Sequence, residues 1–310
     1  MIIISLGGNA IIRRGEQGTV SEQFRNAALA MGYVAALVKS GVPVIITHGN
    51  GPVVGNLVIQ NEAAKDIVPP MPLYISDADS EGGLGFMIQQ TLYNELRRIG
   101  SDVEVATIVT QVVVDPGDPA FRDSTKPIGP FYNKDEAREI SASTDWIIKE
   151  VASGDFRRVV ASPRPKKIIE AGIIKKLAES GTVVIAAGGG GVPVTEASDG
   201  TLSGIDCVID KDYATGALAL TVSAEVFINL TSVDMVYTDF GKPTEEGIRE
   251  LTVSEARSLF AKGHFPPGSM GPKIEAAIEF LEKGGKRVII TSPEFIEEAF
   301  SGKAGTVITP

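Results

Sequence analysis

Ile2-Ile3-Ile4-Ser5-Leu6-Gly7-Gly8-Asn9-Ala10 is the stretch from which the fold can be read. Five mostly apolar residues make a short buried strand, and the paired glycines behind them end it in a tight turn. No basic residue precedes the apolar run, so the opening reads as a first strand and not as a leader. Similar runs recur at Val42 to Thr47, Val103 to Val114, Thr182 to Ala187, Val226 to Thr231 and Arg287 to Thr291. Between them lie stretches with helical spacing. Ser21 to Ser40 stops at Gly41 and Gly83 to Arg98 stops at Gly100, as helices with glycine ends do. Further helices are expected at Lys166 to Glu179, Asp210 to Val222, Ser254 to Lys262 and Pro272 to Lys283. This alternation predicts an α/β fold, a largely parallel sheet covered by helices.

One segment breaks the rhythm. Asp115 to Pro165 carries prolines at 116, 119, 127, 130, 163 and 165, many charges and one short helical stretch near Lys134 to Ile140. Such a segment suits a protruding flap over a site; an irregular surface insertion is the plainer alternative. With 310 residues the chain can form two lobes on one sheet, and we divide it at 1–205, including the flap at about 115–165, and 206–310.

Hydrophobic residues at 43% and charged residues at 22% place the chain with folded soluble proteins, and no apolar run is long enough to span a bilayer. The single cysteine, Cys207, excludes an intramolecular disulfide, and no Cys/His cluster has zinc spacing; a cytoplasmic protein without a bound structural metal is the reading. The net charge of −10 opposes binding to nucleic acid, whose phosphates need clustered Lys and Arg. An anionic small molecule would instead need a few lysines and backbone amides gathered in one cleft.

Three glycine-rich turns follow expected strands: Gly7-Gly8-Asn9, Gly49-Asn50-Gly51-Pro52 and Gly188-Gly189-Gly190-Gly191. In a parallel sheet such turns collect along the carboxyl edge, where glycine lets backbone N–H groups approach phosphate. One such turn could serve the chain's geometry alone; three at strand ends point to an anion site. No GxxxxGK[ST] loop is present, and the GxGxxxG at Gly49 to Gly55 lacks the strand and acid that a dinucleotide site needs beyond it, since Val68-Pro69-Pro70-Met71-Pro72 follows. Three lysines stand by such turns: Lys211 between Asp210 and Asp212, Lys273 after Gly268-Ser269-Met270-Gly271-Pro272, and Lys126 in the flap. A lysine in a helix's first turn opposes the helix dipole unless an anion binds there, which singles out Lys273. His48 and His264 have no partner pattern for nucleophilic catalysis and read as structural, and Cys207 reads as a buried apolar residue.

With these residues in view, the chain resembles the carbamate kinases of the amino-acid kinase family. The resemblance rests on Ser5-Leu6-Gly7-Gly8-Asn9-Ala10, His48-Gly49-Asn50-Gly51-Pro52, Thr110 to Asp115, Thr125-Lys126-Pro127-Ile128-Gly129-Pro130, Gly188 to Val194, Val208-Ile209-Asp210-Lys211-Asp212 and Gly268 to Ala277. It implies an open αβα sandwich with an acid-binding lobe, a nucleotide-binding lobe and a protruding subdomain. It further implies a cytoplasmic homodimer of arginine metabolism that interconverts ATP plus carbamate and ADP plus carbamoyl phosphate with Mg²⁺. By motif, Gly7, Gly8 and Asn9 would contact the transferring phosphoryl group, and Asn50 and Gly51 the small acid. Lys211 and Lys273 would neutralise phosphate charge, Asp212 would orient them, and Lys126 would reach in from the flap. The nucleotide would lie against Thr231, Val233, Tyr237, Ser269, Met270, Gly271 and Lys273.

The chain departs from the family pattern at Glu81, where an amide is usual, at Ser153-Gly154-Asp155-Phe156-Arg157, where an arginine is missing, and at Ala161. A Glu81 carboxylate inside the pocket would repel an anionic acceptor. These departures keep two other readings open: a kinase for a different small acid or phosphate ester, and a nucleotide-binding regulator without catalysis.

Overall fold

A computed structural model describes residues 1–13, 15–266 and 268–310, with Asn9 described by its backbone alone. The expectation for the Asn9 side chain therefore lies outside the described residues. Eight strands form the main sheet in the order Glu250–Thr252, Thr306–Thr309, Arg287–Thr291, Val226–Leu230, Ile2–Leu6, Val44–His48, Val183–Ala186, Val105–Ile108. All pairings are parallel except that of Arg287–Thr291 with Thr306–Thr309. The opening strand lies at the centre, with Ile4 level with Ile228 on one side and Ile46 on the other.

Alternation along the strands makes three layers. Ile3, Ile45, Phe227 and Val288 pack on one face against Ala214, Leu218, Ile274, Ala277 and Phe280. Ile2, Ile4, Ile46, Ile228 and Ile289 pack on the other against Met31, Val34, Ile88 and Leu92. The first group of partners sits on helices Lys211–Thr221 and Met270–Glu282, the second on Val20–Lys39 and Leu73–Arg98. Both faces of a parallel sheet are thus buried, which is why its strands read as continuous apolar runs.

Four expectations need correction. Val103 to Val114 is two strands, because the chain leaves the main sheet at Val109-Thr110 and Gln111–Val114 joins a second, four-stranded sheet. Lys166 to Glu179 likewise divides into the strand Pro165–Ile168 and the helix Ala171–Glu179. The helix ending at Arg98 begins at Leu73, ten residues before the expected Gly83, and the helix Gly51–Ala64 was not anticipated.

The flap has a sheet of its own, Lys126–Tyr132, Asp155–Val160 and Ile148–Ala152, with the helix Lys134–Ser143 beside it. Val54 and Val58 of helix Gly51–Ala64, Leu73, Ile128, Val160 and Val208 form the small core that seats it. The approach is closest at Gly55, where an added Cβ would stand 1.9 Å from Gly129 Cα. Backbone on both sides leaves nothing to rotate away. Gly55→Ala is therefore expected to lift the flap, raising amide exchange across 126–132 about tenfold or more while the central strands stay protected. Hydrogen exchange with mass spectrometry checks this.

Candidate functional site

Parallel pairing brings the expected glycine turns to one edge. Gly7 N–H donates to Leu230 O at 3.0 Å and Gly49 N–H to Leu6 O at 3.0 Å, so each turn leaves the sheet against its neighbour. A Cβ on Gly49 would lie 3.2 Å from both Gly8 N and Lys211 Cδ, so the lysine stem runs beside the two turns with no room to spare. The third turn, Gly188–Gly190, has positive φ at Gly189 and Gly190, and a Cβ on Gly190 would stand 2.3 Å from Ile209 O. Only glycine fits there.

One register level of the sheet is polar. Ser5 lies level with Thr47 and with Asn229 on the adjoining strands, all three buried. Facing them is the start of helix Lys211–Thr221, capped by Asp210, whose Oδ1 accepts from Asp212 N–H at 2.9 Å. Lys211 Nζ donates to Ser5 Oγ at 2.7 Å and to Asp212 Oδ1 at 2.8 Å. Asn229 Nδ2 donates to the same Asp212 oxygen at 2.7 Å. Lys273, in the first turn of helix Met270–Glu282, donates from Nζ to Asp212 Oδ2 at 3.0 Å. Two lysines 62 positions apart in sequence thus share one buried carboxylate, with Thr47 and Thr215 hydroxyls bonded at 2.7 Å behind them.

The electrostatics follow from burial. Burial pushes the Lys211 ammonium down to about 8, against the upward pull of Asp212, and the nearby Lys273 charge adds to the fall. Burial works to raise the Asp212 carboxyl, but the two ammonium groups outweigh it and hold it well below the usual carboxylate range. The cluster has two cations to one anion, an arrangement that leaves net positive charge where the turns converge.

Lys126 does not join this pair. It forms an ion pair with Asp210 Oδ2, so the flap lysine docks on the cap of the helix that carries Lys211. On the other side of the edge, Asn50 Nδ2 donates to Asp77 Oδ1 and Ser80 Oγ, and Gly51 begins its helix. Thr231 follows the strand Val226–Leu230 and donates its N–H to Thr291 O at 2.8 Å. Val233 and Tyr237 lie half-buried beyond it, the Tyr237 hydroxyl donating to Asp234 Oδ1 at 2.6 Å. Ser269 is the exposed N-cap of the Lys273 helix, with Met270 half-buried and Gly271 buried behind it. Among the described residues no side-chain hydrogen bond links the Thr231 loop to the Ser269 loop.

Glu81 does not carry a charge into the pocket. Its side chain is buried, with Oε2 accepting from Thr110 N–H at 3.1 Å and Oε1 from Gly188 N–H at 2.9 Å. Burial pushes its carboxyl up to about 8, while the two backbone donors pull the other way. Each carboxyl oxygen offers a lone pair to one of the two opposed N–H groups, whereas the NH₂ of an amide would turn hydrogens toward one of them. Glu81 is a brace for the third glycine turn. His48 is buried as well: burial pushes it down to about 4, Nδ1 lies 3.2 Å from Gly49 O, Gly188 packs on the ring, and Nε2 has no partner among the described residues. Cys207 is buried, as expected.

Ser5, Asn229 and Asp210 were not singled out as site residues from sequence. Ser5 and Asn229 had a readable signal, a polar residue inside a buried apolar strand. The partnership of Asp210 with Lys126 spans 84 positions and had none.

The sequence profile of the Amino acid kinase family matches residues 1–292. A carbamate kinase of Pyrococcus furiosus is 45% identical over 100% of this chain and 99% of its own length. Among solved structures, carbamate kinase from Giardia lamblia bound to citric acid superposes with a TM-score of 0.95 at 40% identity, covering 99% of this chain and 97% of that one. The same enzyme bound to AMP-PNP gives 0.91 at 41% identity, covering 99% and 98%.

Proposed function

Since this chain belongs to the amino acid kinase family and has the activity of its carbamate kinases, we propose that the Lys211–Asp212–Lys273 cluster is where it stabilises the phosphoryl group passing between ATP and carbamate. The observation that carries this reading is the pair of lysines held by one buried carboxylate at the carboxyl edge. Phosphoryl transfer asks little covalent chemistry of a protein; it asks for alignment and for cations where charge spreads over the phosphoryl oxygens. Asp212 and Ser5 hold the ammonium groups in place before substrate arrives, so little reorganisation is needed during the reaction.

In this reading the nucleotide lies on the 206–310 side, against Thr231, Val233, Tyr237, Ser269, Met270 and Gly271, with its phosphates toward Lys211 and Lys273. The AMP-PNP complex of the Giardia enzyme supports a nucleotide site in this fold. The small acid lies on the 1–205 side near Asn50 and Gly51. Gly7, Gly8 and Asn9 face the phosphoryl group between them. Lys126 then exchanges its Asp210 partner for the acceptor or carbamoyl group, which ties flap position to substrate binding. Asp210 and Asp212 are both engaged with lysines, and among the described residues no group of three or more His, Cys, Asp or Glu could hold a metal. In this reading Mg²⁺ enters as part of the substrate, carried on the nucleotide's phosphate oxygens.

A homodimer belongs to the same proposal. Leu29, Tyr33, Phe86 and Tyr93 are exposed on the paired outer helices Val20–Lys39 and Leu73–Arg98, an apolar face that a second copy would cover. A cytoplasmic place and a role in arginine metabolism follow from the family resemblance. Among the described residues no helix is long and apolar enough to cross a membrane.

The direct test is ATP formation from ADP and carbamoyl phosphate, read by luciferase; turnover with other acyl phosphates alone would favour a different acceptor. A pH dependence is also expected. Lys211 is cationic below about 8, so kcat/KM should fall about tenfold per pH unit above that value. Stability moves oppositely. A lysine titrating near 8 folded and near 10.5 unfolded binds fewer protons in the folded state between those values, so stability rises across that window as activity falls. Initial rates and thermal midpoints at pH 7 to 10 check both signs.

A further inference from the structure

Asn50 follows the strand Val44–His48 and stands at the N-cap of helix Gly51–Ala64. An asparagine in that place ordinarily turns its amide oxygen onto one of the helix's first N–H groups. Here the side chain makes no capping bond. Its amide is turned the other way, Nδ2 donating to Asp77 Oδ1 at 3.1 Å and to Ser80 Oγ at 2.8 Å. Ser80 gives its own hydrogen to Asp77 O at 2.8 Å, so toward Asn50 its hydroxyl can only accept. Both amide hydrogens are thereby committed, and the orientation of the amide is set by two acceptors.

The three residues are 3%, 2% and 1% exposed for Asn50, Asp77 and Ser80, so water does not compete for these bonds. Asp77 makes a costly member of the group. Its Oδ2 is buried without a partner, and burial holds the carboxyl well above its usual range. A buried acid with an orphan oxygen weakens a fold, and among the described residues its one side-chain bond goes to Asn50. What the arrangement leaves available is Asn50 Oδ1, to which nothing among the described residues donates. Gly189 keeps the space beside it clear: a Cβ there would stand 2.2 Å from Nδ2 and 2.7 Å from Oδ1.

We propose that Asp77 and Ser80 are positioning residues that present Asn50 Oδ1 to the acceptor, where it takes an N–H of the acid's amino group. The inference rests on the reading that Asn50 and Gly51 border the small acid. It makes the site selective for an acid that carries an amino group, such as carbamate, over one of the same shape that carries a methyl group. A methyl group would leave Oδ1 desolvated and unpaired, and unmet polar groups discriminate more strongly than missing apolar contact.

The experiment compares carbamoyl phosphate with acetyl phosphate as phosphoryl donor to ADP, with ATP read out, in the full chain and three variants. In Ser80→Ala and Asp77→Ala the amide can turn back to cap its helix. The ratio of kcat/KM for carbamoyl over acetyl phosphate is then expected to fall about tenfold, mainly through a higher KM for carbamoyl phosphate. Asp77→Asn keeps an acceptor oxygen for Asn50 and should retain most of the ratio. An unchanged ratio in Ser80→Ala and Asp77→Ala overturns the inference; if Asp77→Ala does not fold, the Ser80→Ala ratio decides. Failure of the unaltered chain to form ATP from carbamoyl phosphate overturns the carbamate reading itself, so the two failures are told apart.

Discussion

Lys273→Ala is expected to lower kcat for phosphoryl transfer about 10²- to 10³-fold while leaving the protein folded. The lysine sits in the first turn of helix Met270–Glu282, where its charge opposes the helix dipole, and its only side-chain partner among the described residues is Asp212. A cation kept nearly buried in that position stabilises negative charge that arrives with substrate, and removing one preorganised donor of this kind costs on that scale. The fold should tolerate the change because Asp212 keeps Lys211 and Asn229. Lys286 supplies the contrast. It pairs with Glu225 at 2.9 Å at the surface, and Lys286→Ala should leave the rate unchanged. Initial rates with ADP and carbamoyl phosphate, beside thermal midpoints, check both.

Asp212→Ala is expected to destabilise the protein by about 3–5 kcal/mol and to lower turnover further than Lys273→Ala does, leaving a small residual rate. The reason differs from that for Lys273. Asp212 is the common partner of two ammonium groups whose side chains are 11% and 10% exposed, and removing it leaves like charges close together without a counter-ion. The Lys211 ammonium would lose the pull that now holds it at about 8 and would titrate lower still. Any residual activity should therefore show its alkaline fall at a lower pH than the unaltered chain. Chemical denaturation gives the first quantity and a pH–rate profile the second.

The central sheet was legible because its physics is local. Each buried strand needs four or five apolar residues and a turn, and Ile2–Leu6 and Arg287–Thr291 match their apolar runs at both ends. The helix Leu73–Arg98 was half hidden for a reason that bears on function. Its first turns carry Ser76, Asp77, Ser80 and Glu81, polar side chains that are buried, whereas periodicity looks for apolar residues at buried positions. Those residues face the site wall, bracing Gly188 and holding Asn50. Helix Gly51–Ala64 was missed because Val53, Val54, Leu57, Val58 and Ile59 give it no single apolar side. It lies between the flap and helix Leu73–Arg98, and buries two sides.

Of the site, the lysines and Asp212 were legible, and Ser5, Asn229 and Asp210 were not. Lys211 and Lys273 stand out beside glycine-rich turns, but only the register of two parallel strands shows that Ser5 and Asn229 reach the same point. Glu81 is the clearest case of tertiary structure deciding a residue's meaning. As a charge in sequence it threatened the acceptor; in the fold it is buried and both of its oxygens are engaged by backbone N–H groups.

The paired lysines are central because, in the proposed function, they act on the transferring phosphoryl group. Phosphorus NMR of ADP and carbamoyl phosphate with the unaltered chain and, in parallel, with Lys273→Ala addresses that most directly. The predicted result is growth of the ATP γ-phosphate signal with the unaltered chain and its near absence with the folded variant. Equal growth with both would contradict the account.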